Sequence, residues 1–346
     1  MRVAAAILLT IPLIACSAQT ASPPPPTQTA LAQSQAANLR THLDLLLGEH
    51  VMIVAKESAA AVNHADEYPA YTSLLATNSN DLTTVFGRAF GTTAAQQFAQ
   101  LWNRQNGMLV DYAIGVVAHN DDKSSAAMTG LTGTFVAQFA QLISAQSGVP
   151  ADTVSQIMAK QEADDKAFID DVFAGRFSTY FADLHRAYAQ TSQLGDALAV
   201  QIAQLFPDKF SGDPAVRRVD LRVSSNLLLQ EHSYLATMAT AAAVAKRDSE
   251  KTAAVSALAT SAKTLAKVWL DWDGALVAYA ANAHLQSSTF IDTLTTATGA
   301  TTPNVRFFVE ATIKAVDDQK AKSSRTIADD DRAAATATQP IADSIA

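Results

Sequence analysis

The chain has 346 residues, with 25 Lys and Arg against 33 Asp and Glu, a formal charge of −8 and one cysteine. The acidic balance comes without a basic tract or basic-aromatic interleaving. It excludes a nucleic-acid partner and gives no electrostatic pull toward anionic lipid, while a single cysteine excludes an intrachain disulfide framework.

Residues 1–15 read as a lipoprotein signal peptide. Met1 and Arg2 precede the apolar run "VAAAILLTIPLIA", which is shorter than the roughly 20 residues a membrane-spanning helix needs. The run ends in "LIAC", Leu13 to Cys16, which resembles a lipobox. Cys16 is therefore the expected lipidation site, a palmitate-type anchor after cleavage behind Ala15. Residues 16–36 are expected to be a disordered tether, stiffened by Pro23–Pro26. The expected location is the cell envelope, on the outer membrane facing periplasm or surface if the host has two membranes.

The rest is rich in alanine and poor in glycine and aromatics, a composition that favours helix. Apolar spacing and punctuation predict helices over 37–62, 68–88, 93–118, 124–146, 151–174 and 178–204. Gly91 and the Gly148–Pro150 pair mark boundaries. "FPDKFSGDPAV", 206–216, is a joint, with Pro214 placed to open the next helix. Helices are then predicted over 216–247, 249–283, 286–298, 303–322 and 324–344.

The joint separates two related units. Residues 39–62 and 221–244 are identical at eleven of twenty-four positions without a gap, including Leu-Arg, Leu-Leu-Leu, Glu-His and the closing Ala-Ala-Ala-Val. "DLHRAYAQTSQLGDALA", 183–199, faces "DDDRAAATATQPIADSIA", 329–346. The expected fold is all-α: two tandem, related antiparallel helical bundles, 37–210 and 217–346.

Glu49-His50 and Glu231-His232 are the candidate chemistry. Leu39, Leu43, Leu46, His50 and Ile53 share a stripe, so His50 is expected inside the bundle and neutral, with Glu49 on its flank meeting Arg or water. A structural histidine and a metal ligand are both open readings, the latter using His50, His232, Glu49 and Glu231. The sequence has no Glu-x-x-His and no His-Glu-x-x-His. The acidic runs "KQEADDKAFIDD", 160–171, and "IADDDR", 327–332, read as solvated faces, with Asp330 as a helix cap. Trp269 and Trp272 read as interhelical packing, and Gly130 and Gly133 as close helix approach. His64 and His119 fall at loop edges.

The motifs Glu49-His50, Asn80-Asp81-Leu82, Leu101-Trp102, Asp111-Tyr112, Gly195-Asp196-Ala197-Leu198 and Phe206-Pro207-Asp208-Lys209-Phe210 together resemble an uncharacterised family of exported bacterial helical proteins. The resemblance covers 39–210 well and 221–346 loosely. It implies the helical fold and no particular activity. Relatives in that family carry further histidines where this chain has Gln105, Gln161 and Gln190. Any metal binding through those positions is therefore expected to be lost here.

With no nucleophile elbow and no local catalytic triad, the expected function is a non-enzymatic envelope lipoprotein with a binding or structural role and no cofactor. Its expected partners are the membrane, through the lipid, and an envelope protein or small ligand. A metal-binding or storage protein, and an enzyme with a site between helices, are the alternatives.

Overall fold

The computed structural model describes residues 32–345. The signal peptide, Cys16 and the proline run lie outside the described residues. The fold is all-α. The first unit contains α1 (Gln35–Val62), α2 (Tyr68–Phe90), α3 (Thr92–Val117), α4 (Asp121–Thr129), α5 (Val136–Ser147), α6 (Ala151–Phe173) and α7 (Phe177–Leu205). The second contains α8 (Arg217–Val244), α9 (Asp248–Ser261), α10 (Lys267–Ala280), α11 (Ser287–Thr298), α12 (Thr302–Ala321), α13 (Ile327–Thr336) and α14 (Gln339–Ile345). No described helix is long and apolar enough to cross a membrane.

The fold begins slightly earlier than expected. Ala32 and Ala36 are buried and the Ser34 side chain caps α1, so the last residues assigned to the tether belong to the domain. Gly91 and Gly148 end their helices at positive φ, and His64 and His119 also take positive φ in turns. Between α4 and α5 the chain makes a π-helical segment, Gly130–Phe135. A Cβ on Gly130 would lie 2.5 Å from the sulfur of the flexible Met108 side chain, which would have to move, whereas Gly133 faces open space.

Three predicted boundaries are corrected. The helix expected over 249–283 breaks into α9 and α10, joined by a short 3-10 turn and by extended Leu265 and Ala266. The break stands where Gly91 separates α2 from α3 and lets Trp269 and Trp272 turn inward onto Phe308. The helix expected over 324–344 breaks between α13 and α14, where Pro340 supplies no N–H to continue the ladder. Pro214 precedes α8 by three residues rather than opening it, and its carbonyl accepts from Arg40.

α1 and α8 are each 28 residues long and start and stop at matched positions. They run parallel. Ala36 N–H donates to Ser211 O, and Arg222 donates to Ala32 O and Asn38, which places both N-termini at one end. Farther along, Glu49 meets Tyr234. Neither helix is a simple amphipathic element. Every residue from Leu43 to Ser58, and from Leu229 to Thr240, is buried. One stripe was expected to face inward. The whole circumference does, because each helix has its own unit on one side and its counterpart's on the other. One apolar cluster joins the first unit to Tyr234, Leu235, Met238, Leu258 and Ile327 of the second. Another, around Trp269, Trp272 and Phe308, belongs to the second unit.

Candidate functional site

His50 and His232 occupy equivalent, buried positions, 3% and 2% exposed. His50 Nε2 lies 2.8 Å from Asn106 Oδ1, and Asn106 Nδ2 donates to Ser79 Oγ at 2.8 Å. An amide oxygen only accepts, so Nε2 carries the proton. Burial pushes the imidazole pKa down to about 4, against a smaller opposing effect of Asn106, so the ring is neutral at pH 7, as expected.

In the second unit, His232 Nε2 lies 3.1 Å from Asp273 Oδ1 and Nδ1 lies 3.3 Å from Ser261 Oγ. Trp102 precedes Asn106, and Trp269 precedes Asp273, by one helical turn, and each indole packs on its histidine at 5.0 and 5.6 Å between centroids. Ser79 and Ser261 each follow their histidine by 29 residues. The two trios stand at equivalent positions but are wired differently: Ser79 bonds the Asn106 amide, whereas Ser261 lies against His232 Nδ1 and the residue in the place of Asn106 is a carboxylate. The Ser261–His232–Asp273 order looks like a nucleophile relay, but a ring 2% exposed offers a substrate no approach.

The glutamates point elsewhere. Glu49 meets an arginine, as expected, but it is buried rather than on a solvated flank. It accepts from Asn78 Nδ2 at 2.9 Å, Tyr234 OH at 3.2 Å and Arg332 Nε at 3.1 Å. Arg332 also reaches Asp81 at 2.5 Å. Glu231 takes His185 Nδ1 at 2.7 Å, which raises the His185 pKa. Each unit's glutamate is thus completed by the last helices of the other. The four candidate metal ligands are kept apart, each held by a protein partner. Among the described residues no three His, Cys, Asp or Glu side chains converge as a metal site.

Both acidic runs are corrected. In 160–171, Gln161, Glu162, Asp164, Asp165 and Asp171 are buried. Gln105 donates to Glu162 at 2.9 Å and Gln161 to Asp165 at 2.8 Å. Burial raises the Glu162 pKa well above the carboxylate range and that of Asp165 to about 7. In 327–332, Asp331 is fully buried. Lys56 Nζ and Tyr71 OH each donate to its Oδ2 at 2.6 Å, and Lys56 itself is 5% exposed. Asp330 does not cap α13; it pairs with Lys314 at 2.6 Å. These carboxylates go inside because amides, a lysine and a tyrosine from packed helices meet them there. Gln105 and Gln161 flank a cavity of about 20 Å³ beside His50 and Trp102, room for one water; Gln190 bonds Gln193 instead.

The open feature is a polar cleft of about 360 Å³ between the units, lined by His42 and Glu49 of α1, Arg222 and Gln230 of α8, and Arg332 and Thr336 of α13. Burial and the nearby arginines Arg88 and Arg332 hold His42 below its usual pKa, with Asp81 opposing them. Arg332 spends Nε and Nη2 on Glu49 and Asp81, and among the described residues no hydrogen bond or ion pair reaches Nη1. The sequence hid this cleft because its walls come from α1, α8 and α13, nearly 300 residues apart. The alignment of 183–199 with 329–346 was the available signal, since it sets α13 beside a helix that packs on the core.

Comparison with family models, curated proteins and solved structures finds no match to this chain.

Proposed function

We propose that the chain is a non-enzymatic, lipid-tethered envelope protein whose two fused units form one binding body, with the polar cleft as its ligand site. The observation carrying this reading is the cleft itself. Charged and amide side chains from both units line a common open space of the size small-molecule sites use. The histidine trios, by contrast, are closed off from solvent, His50 and His232 being 3% and 2% exposed, which favours a structural role for them over metal storage or catalysis.

Two experiments test the proposal. Cys16→Ser should release the protein from membranes or leave an unprocessed precursor; unchanged mass and membrane retention would reject the anchor. Native mass spectrometry of protein taken gently from the envelope should find a small molecule that is absent from Thr336→Phe. That variant fills the cleft from an exposed rim and leaves the Arg332 pairs intact. A retained molecule unaffected by Thr336→Phe, or none at all, would remove the cleft reading.

A further inference from the structure

The large apolar side chains left on the surface gather at one end of the body. Leu205, Leu221, Leu270, Phe307 and Ile345 are between 40% and 58% exposed, and with Ile114 and Val255 they make up the seven of this kind among the described residues. The first five stand at the end where α1 begins and the chain arrives from the tether. α7 runs antiparallel to α1, with Asp196 on Arg40 and the Tyr188 ring over Gly48, so its last residue, Leu205, lies there. Leu221 is in the second turn of α8, which starts beside α1. Asp343 pairs with Arg222 and brings Ile345, at the close of α14, to the same place. Ser344 donates to Thr298 O, so α12 also sets out from this end, and α10 runs parallel to it, with Trp269 on Phe308 and Tyr279 on Asp317. Phe307 and Leu270 therefore sit in the first two turns of their helices. Ile114 is at the far end, because α3 starts from the Phe90–Phe206 contact and runs away from it, and Val255 is midway along α9.

Cations share this end. Lys209, Arg217 and Arg306 are exposed and Arg218 is half-buried. Lys209 lies over the Phe206 ring, and among the described residues no hydrogen bond or ion pair reaches the other three guanidinium groups. Asp208 and Asp213, exposed beside them, offset two of the four charges, and the chain as a whole carries −8. Long-range attraction to anionic lipid is therefore weak, and any contact falls to the apolar side chains and to guanidinium groups at close range. Residues 17–31 separate Cys16 from Ala32, a span of at most about 50 Å, and the Ala32 carbonyl accepts from Arg222 at this end. A tether of that length keeps the body at a high local concentration over a bilayer without dictating which face meets it. The surface chemistry of the body decides that.

We propose that the tether end is a bilayer-contact face. In the anchored protein the five apolar side chains enter the headgroup boundary, while Arg217, Arg218 and Arg306 meet lipid phosphates. The inference rests on the residues before Ala32 carrying a membrane anchor and adds the orientation of the body on that membrane. The apolar side chains are set one to a helix, on α7, α8, α10, α12 and α14, with long cationic stems among them. That arrangement suits a fluid surface that closes around each side chain. A protein partner needs instead a packed apolar centre inside a polar rim. Asn38 and Arg222 of the cleft stand at the same end, so the contact sets that part of the cleft wall beside the lipid.

An artificial tether separates contact from attachment. The chain from residue 16 onward, which keeps every described residue, is made with Cys16→Ser behind a hexahistidine tag. It is held on vesicles of phosphatidylethanolamine and phosphatidylglycerol by a nickel-chelating lipid. Cys16 is the only cysteine, so Leu205→Cys, Leu221→Cys, Phe307→Cys and Ile114→Cys each supply a single exposed thiol for a polarity-sensitive dye. Quenching by a spin-labelled lipid is read against the same vesicles without it. We expect quenching about threefold or more stronger at positions 205, 221 and 307 than at 114, with blue-shifted emission, because interfacial side chains sit roughly 5–10 Å into the headgroup boundary. Adding Arg217→Glu and Arg218→Glu should weaken the quenching at position 221 about twofold or more. Equal quenching at all four positions, or quenching strongest at 114, overturns the proposal. Quenching at none of them also overturns it and assigns the end to a protein partner. Each result holds whatever anchors the native chain, and fractionation of Cys16→Ser judges that anchor separately.

Discussion

Asp44→Asn should make the protein more stable. Asp44 is fully buried on α1, and neither carboxylate oxygen has a hydrogen-bond donor. Arg40 Nε, the closest cation, is 4.0 Å away and is engaged by Asp196 at 2.5 Å. Burial first, and the Asp196 charge second, raise the Asp44 pKa well above the carboxylate range, with Arg40 opposing. Two ionised carboxylates cannot bond each other, so a proton on Asp44 is what satisfies the pair. The second unit solves the same problem without a proton: Asn226, the equivalent residue, donates Nδ2 to Asp343 Oδ1 at 2.8 Å. The sign follows from linkage. The folded pKa exceeds the unfolded one, so the stabilising effect of the proton is complete below the unfolded carboxylate pKa. It is lost as pH rises, at about 1.4 kcal/mol per pH unit, until the folded pKa is passed. Asn supplies the missing donor at every pH. The expected gain at pH 7 is about 1–3 kcal/mol, the usual cost of an unsatisfied buried polar group. Urea unfolding of both proteins across the weakly acidic to weakly alkaline range measures it. A wild-type stability that does not fall with pH relative to Asp44→Asn, or a variant less stable at pH 7, would refute the protonated-acid reading.

Three other outcomes are expected. His50 should stay neutral well below the pKa of free imidazole, so its ring resonances should not titrate near about pH 6. Because its folded pKa is depressed to about 4, stability should drop on acidification from pH 6.5 toward 4, by about 3 kcal/mol in total, and His50→Gln should remove that slope. Lys56→Met, which installs the residue found at the equivalent position 238, should cost about 3–5 kcal/mol because Asp331 keeps a buried charge; thermal melts that recover most of the loss on adding Asp331→Asn check the cause. Gly48→Ala should cost about 1–3 kcal/mol in chemical denaturation through its clash with the Tyr188 ring, and much less in a Tyr188→Ala background.

The helices, the duplication and the burial of both histidines were legible in the chain, because leucine and alanine periodicity and a gapless repeat report local structure directly. The partners of the histidines were harder. Asn106 and Asp273 each stand one turn after a tryptophan, a shared spacing that points at them only once α3 and α10 are known to be equivalent. Glu162, Asp165 and Asp331 were misread, since a run of acids looks solvated until the amides, lysine and tyrosine that meet it are placed by the fold. The break at Leu265 carries no glycine or proline, so nothing local announces it. The cleft is walled by side chains of α1, α8 and α13, far apart in the chain, so no local pattern announces it.

The exchange of glutamates between units bears on how such a molecule arises. A chain of one unit would have exposed the long buried face of its first helix and left its glutamate without a basic partner. It would have been completed by a second copy through an isologous dimer, the commonest closed symmetry. Two identical chains, however, must carry identical inter-unit spaces: both filled or both open. Joining them through residues 206–216 removes that constraint, so the two sides can diverge, as the partners of the two glutamates, His185 and Arg332, have done. Fragments cut at this linker and expressed together should therefore find each other in a one-to-one pair, and neither should persist alone.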